Sequence, residues 1–139
     1  MPYRICKTVE IESGHLLSRH SGKCRFPHGH TRKVELVLEA DSLNEQQMVC
    51  DFKVLKEAMR ALLDPYDHAL CINTDDPMYP TLKAAYGERV IGFEQTDPTS
   101  EMLAKALFEG FKSSLEPVKL RIIKVRVWET AHAWAEYRE

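Results

Sequence analysis

Polar and apolar positions along the chain repeat with two periods. "YRICKTVEIE" (3–12) alternates and is β-branched in character, which predicts a strand. "RKVELVLEA" (32–40) places Val34, Leu36, Leu38 and Ala40 on one side, a strand with its other side in solvent. The residues between, 13–31, read as a glycine- and histidine-bearing loop. After the polar connector "DSLNEQQ", "DFKVLKEAMRALLD" (51–64) repeats Phe52, Leu55, Met59 and Leu62 at helical spacing, and Pro65 closes it. Residues 71–95 mix breakers with a short helical piece around Leu82–Tyr86. "TDPTSEMLAKALFEGFKSS" (96–114) predicts a second helix, with Asp97 as N-cap, Pro98 as first helical residue and Leu103, Leu107 and Phe111 as the stripe. "VKLRIIKVRVWET" (118–130) is a strand whose alternation slips at Ile122–Ile123, the mark of a bulge. "AHAWAEY" (131–137) pairs back as a last strand. The order β-β-α-α-β-β predicts an antiparallel sheet with helices on one face, an α+β domain.

At 139 residues the chain is expected to be one domain, 1–139. A net charge of -2 gives no basic excess of the kind nucleic-acid binding advertises. The N-terminus is charged throughout and carries no apolar run of the about 20 residues that a membrane span needs. A cytoplasmic protein is therefore expected, without nucleic-acid or membrane partners. Cys6, Cys24, Cys50 and Cys71 are scattered with no CxxC pair, which predicts reduced thiols and argues against a cysteine-only zinc site.

The chemistry concentrates in "SGKCRFPHGHTRK". On an extended segment, residues two apart point the same way, so His28 and His30 can face one point. Gly29 between them lets the backbone bend and keeps bulk away from an ion. A third imidazole from His15 would complete a set with an open fourth position, as a catalytic zinc needs. Cys24 sits between Lys23 and Arg25, cations that favour a thiolate base or nucleophile; the plain alternative is a small buried hydrophobe. Asp67 beside His68 can orient an imidazole or simply cap a turn. Glu129, at the end of an apolar strand, can grip a guanidine-like edge with two hydrogen bonds or stand solvated. Lys23, Arg25, Arg32 and Lys33 are cations that could meet an anionic group, and His20 and His132 have no assigned role.

These residues together resemble the 6-pyruvoyl-tetrahydropterin synthase / 6-carboxytetrahydropterin synthase family. The matching pieces are His15, "CRFPHGH" at 24–30, "DFKVLK" at 51–56, "DHALCIN" at 67–73, "DPTSEMLAKAL" at 97–107 and "VWET" at 127–130, in the family's order. The resemblance implies a tunnelling fold (T-fold): an antiparallel four-stranded sheet with two helices on one face, joining other copies into a barrel. It also implies a homohexamer of two trimers, with the active site between subunits. His15, His28 and His30 would hold zinc. Cys24 would be the general base, with Asp67 and His68 tuning or relaying its proton. Glu129 would anchor the amino-pyrimidine edge and take part in the charge relay, beside Thr99, Ser100, Glu101 and Thr130 in the pterin pocket.

The C-x3-H-G-H spacing resembles the carboxy-forming branch of queuosine and deazapurine synthesis. That branch converts 7,8-dihydroneopterin triphosphate to 6-carboxy-5,6,7,8-tetrahydropterin, with loss of triphosphate and acetaldehyde. The rivals are the pyruvoyl-forming enzyme, a relative acting on another dihydroneopterin, and a non-catalytic zinc-binding T-fold protein. The residue after H-G-H is Thr31, where the family often has Asn or Ser followed by an aromatic, and segment 74–95 is longer than in compact bacterial members.

Overall fold

The structure is a computed structural model that describes residues 2–115 and 120–139. Its elements run β1 (Tyr3–His15), β2 (His28–Ala40), α1 (Phe52–Leu63), β3 (Ala69–Asn73), α2 (Tyr79–Tyr86), β4 (Val90–Phe93), α3 (Ser100–Leu115), β5 (Arg121–Thr130) and β6 (Ala133–Arg138). One sheet in the order β4-β3-β1-β2-β5-β6 joins all the strands. The ladders β1–β2, β2–β5 and β5–β6 are antiparallel, whereas β1–β3 and β3–β4 are parallel. The α+β class is as expected, but the sheet has six strands rather than four, is mixed, and carries a third helix. Val118 and Lys119, the expected start of the fifth strand, lie outside the described residues.

β1 and β2 explain most of the sheet's order. They pair from Tyr3↔Ala40 to His15↔His28, so both run further than the alternation alone predicts. The expected loop shrinks to residues 16–27, and all three candidate metal ligands stand on strands. One face of this pair is apolar: Val9 and Ile11 on β1, Val34, Leu36 and Leu38 on β2. Val125 and Val127 of β5 continue it. The bulge lies where the sequence places it. Val37 faces Lys124 and Leu38 faces Ile122, which leaves Ile123 as the extra residue. One added residue restores inward alternation that a slip would otherwise invert.

α1 starts at Asp51, whose carboxylate accepts from the Lys53 amide at 2.8 Å, and it buries Leu55, Met59 and Leu63. α3 buries Leu103, Leu107 and Phe111 as expected, together with Ala104 and Phe108. Its cap differs from expectation. The Thr99 hydroxyl accepts from the Met102 amide at 3.1 Å, and the helix opens at Ser100. Asp97 and Pro98 therefore precede the helix. The Asp97 carboxylate accepts instead from the Arg19 amide at 2.9 Å and from Asn73 Nδ2 at 3.0 Å. Gly110 lets α3 approach α1, because a Cβ there would stand 3.0 Å from the Leu62 side chain.

β3 and β4 escaped the sequence pattern because both of their faces are covered. Cys71 and Phe93 join the main core under α1 and α3. Ile72 and Val90 join Leu16, with Leu70, Tyr79 and Leu82 packed around them, in a second core. α2 therefore sits on the opposite face from α1 and α3. Strands covered on both sides read as short apolar runs without alternation. Gly92 makes the contact possible, since a Cβ there would lie 2.8 Å from Tyr79 Oη. Among the described residues, no helix is long and apolar enough to cross a membrane.

Replacing Phe111, which is fully buried where α3 meets the sheet, with Ala is expected to lower unfolding free energy by about 3–5 kcal/mol, read by urea titration.

Candidate metal centre

The apolar face of the sheet turns polar at one end. Stepping back by twos from Val34 along β2 gives Arg32, His30 and His28; stepping forward from Ile11 along β1 gives Ser13 and His15. The ladder sets His15 opposite His28, Ser13 opposite His30 and Ile11 opposite Arg32. Strand parity and register together thus bring three imidazoles to one face. Their ring centroids are 4.5–5.1 Å apart, and one nitrogen from each lies within 4.8 Å of the others. Gly29 is extended and paired with Gly14, so it neither bends the strand nor faces the imidazoles.

Carbonyls behind two of the rings set their tautomers. His15 Nδ1 donates to the Pro98 carbonyl at 2.8 Å, and His28 Nδ1 to the Phe26 carbonyl at 2.7 Å. Each leaves Nε2 with its lone pair, the arrangement that orients a ligand histidine. Nε2 of His15 and Nε2 of His30 are 3.2 Å apart. Two nitrogens on one tetrahedral zinc stand about 3.3 Å apart, so this spacing fits a shared cation. Burial pushes the His15 pKa from 6.5 down to about 4, against the Pro98 carbonyl, and also lowers that of His30. Neutral imidazoles are what metal ligation requires. The donor set therefore fits a divalent cation such as zinc.

The N-terminus of α3 roofs this corner, and β5 closes its side. Glu129 extends the core-facing positions Val125 and Val127 by one more step. Its Oε1 lies 3.7 Å from both His15 Nε2 and His30 Nε2, and Ser100 Oγ donates to it at 3.2 Å. Arg32 also belongs here rather than on the surface. It is 1% exposed, and its Nη1 donates to Ser100 Oγ at 2.9 Å. Arginine usually stands in solvent, but carrying the Leu38–Leu36–Val34 alternation two residues further back turns Arg32 inward.

The other candidates are dispersed. Cys24 is half-buried in the short 3-10 turn Lys23–Arg25, inside the connection that joins the two ligand-bearing strands. Its carbonyl accepts from the Leu17 amide at 2.8 Å, which ties the turn to the end of β1. Asp67 and His68 form a separate unit: Asp67 Oδ1 accepts from the Glu12 amide at 2.8 Å, and its Oδ2 lies 3.2 Å from His68 Nδ1. His68 holds φ at 59°, its side chain is 70% exposed, and it borders a cleft of about 340 Å³ with Glu12, Gly14, Gly29 and His30. Among the described contacts, none joins this pair to the imidazole nitrogens or to Cys24. Thr99 caps α3 and Glu101 is exposed in its first turn. Thr130 is exposed, borders a cleft of about 400 Å³ with Thr31, Lys33 and Trp128, and accepts from the His132 amide at 3.1 Å. His20 Nδ1 accepts from the Gly22 amide in the connecting loop.

A family model for 6-pyruvoyl tetrahydropterin synthase matches residues 4–139. A 6-carboxy-5,6,7,8-tetrahydropterin synthase of Aquifex aeolicus is 35% identical, across 100% of this chain and 99% of its own length. One of Haemophilus influenzae is 32% identical, across 99% of each. Among solved structures, an uncharacterized protein of Wolinella succinogenes superposes with a TM-score of 0.84 at 24% identity, over 100% of this chain and 99% of that one. The 6-pyruvoyl tetrahydropterin synthase of Caenorhabditis elegans does so with a TM-score of 0.72 at 25% identity, over 100% and 96%.

The lowered His15 pKa sets a pH dependence for the metal-free protein. Between pH 6.5 and about 4 the unfolded chain binds a proton that folded His15 refuses, so stability falls as pH falls through that window. The loss from this group is expected to reach about 2 kcal/mol between pH 7 and pH 4.5, read by chemical denaturation of the apo protein, and His15→Gln is expected to flatten the dependence.

Proposed function

Because this chain belongs to the 6-pyruvoyl tetrahydropterin synthase family and has its tunnelling fold, we propose that it is a zinc-dependent enzyme of the carboxy-forming branch. It converts 7,8-dihydroneopterin triphosphate to 6-carboxy-5,6,7,8-tetrahydropterin, releasing triphosphate and acetaldehyde. The observation that carries this reading is the convergence of His15, His28 and His30, their nitrogens within 4.8 Å, beside the carboxylate of Glu129. The choice of branch is supported by full-length relatives bearing that name at 35% and 32% identity.

The roles follow from placement. His15, His28 and His30 hold the zinc, which when bound supplies Lewis acidity toward the hydroxyls of the pterin side chain. Cys24 takes a proton from the side-chain carbon. Glu129, steadied by Ser100, accepts two hydrogen bonds from the amino-pyrimidine edge, and Thr99, Glu101 and Thr130 border the pterin. Oxidation of the side chain is balanced by reduction of the dihydropterin ring, and a water supplies the second oxygen of the new carboxylate. Asp67 and His68 relay protons, but among the described residues of one chain they make no contact with the imidazole nitrogens or with Cys24. That supports a site completed by a neighbouring copy, in a hexamer of two trimers, with each His68 serving the partner's Cys24.

Mass spectrometry of products from dihydroneopterin triphosphate is expected to give carboxytetrahydropterin and acetaldehyde; pyruvoyltetrahydropterin would move the chain to the other branch, and no product would leave a non-catalytic zinc protein. Cys24→Ala and His68→Ala are each expected to lower turnover by at least about 100-fold. Unfolded together and refolded as a mixture, the two variants are expected to regain activity through shared sites. If the mixture stays as inactive as its components, the shared site is refuted.

A further inference from the structure

Arg32 heads the largest side chains fully withdrawn from solvent. It sits two residues past His30 on the same face of β2. Nη1 donates to Ser100 Oγ at 2.9 Å, while Nη2 lies 3.2 Å and 3.5 Å from the two ring nitrogens of His15 and 4.0 Å from Glu129 Oε1. Nε has no partner. A guanidinium buried for stability alone would have its donors paired, and an apolar side chain of similar volume usually serves a core as well or better. Nor does Glu129 simply neutralise it: the carboxylate oxygen stands closer to the two ligand nitrogens, at 3.7 Å, than to the guanidinium. The arrangement leaves a permanent positive charge against a ligand of the metal centre.

We propose that Arg32 sets the charge of this centre, weakening its hold on a divalent cation while strengthening its hold on negative charge that develops on a substrate oxygen. The proposal rests on the metal-site reading above. Like charges a few ångströms apart oppose each other strongly where water is excluded, so the same guanidinium repels the cation and attracts an oxyanion. Because Arg32 acts through the centre rather than on the reacting atoms, it is a positioning residue. It also makes Glu129 more than a substrate anchor, since the carboxylate offsets enough of the repulsion for the cation to bind.

The test uses the full chain and zinc alone, in competition with a chromophoric chelator. Arg32→Met keeps the volume without the charge, Arg32→Gln removes the charge with a polar group, and Arg32→Lys keeps it. Both neutral variants are expected to bind zinc at least about tenfold tighter than the wild type, and to turn over dihydroneopterin triphosphate at least about tenfold slower at saturating zinc. Arg32→Lys is expected to stay within about threefold of the wild type in zinc affinity. A merely structural arginine would lose metal binding and turnover together. Neutral variants that bind zinc no more tightly, or that both fail to fold, overturn the proposal. His30→Ala separates the two levels: a wild type without zinc, or a His30→Ala variant that keeps it, defeats the metal-site reading itself. A correct metal site with unaltered affinity in the Arg32 variants defeats only this inference.

Discussion

The antiparallel pairing of β1 with β2 is the constraint from which the rest of the structure follows. Two 13-residue strands matched from end to end fix which side every side chain takes. One side is aliphatic along most of its length, and at the far end it becomes His15, His28 and His30. A shift of a single residue in register would send the imidazoles to the face that α1 and α3 leave bare. The core and the chemistry are therefore specified by one ladder, and neither can be altered without the other.

The second layer adds selectivity to that ladder. α3 arrives over the polar end with its first turn, so Pro98 supplies a carbonyl to His15 while Ser100 meets both Arg32 and Glu129. These partners come from parts of the chain distant in sequence, and each satisfies a group that burial would otherwise leave costly. The result is a corner in which the imidazoles of His15 and His30, the carboxylate of Glu129 and the buried guanidinium of Arg32 crowd together, with Glu129 within about 4 Å of the other three. Mixed charge at such density is difficult to maintain in a core, and here it lies at the core's edge, where the sheet opens to solvent beside half-exposed Glu129.

Much of this was legible in the chain before any coordinates. The H-G-H spacing and the alternation of β2 locate two candidate ligands, and the family's ordered motifs point to the third. Ile122–Ile123 announced the bulge because a break in alternation has few other causes. What stayed hidden has physical reasons. β3 and β4 carry apolar residues on both sides, so no period marks them. Asp97 looked like a cap because short acidic side chains favour that position, but tertiary partners Arg19 and Asn73 claimed it and Thr99 took the role. Arg32 looked like a surface cation because arginine usually is one; only its parity with Val34 betrayed it. The placement of His68 on the cleft that His30 also borders depends on how β3 docks beside β1, which no local pattern encodes.

The connection over residues 16–27 is pinned at both ends by paired strand residues, His15 and His28. Its length is consequently independent of where the imidazoles stand. Insertions or deletions there would re-aim the thiol of Cys24 while His15, His28 and His30 kept their places on the strands. A lineage built on this frame can thus move that thiol by editing one hairpin crossing, provided the Phe26 carbonyl still meets His28.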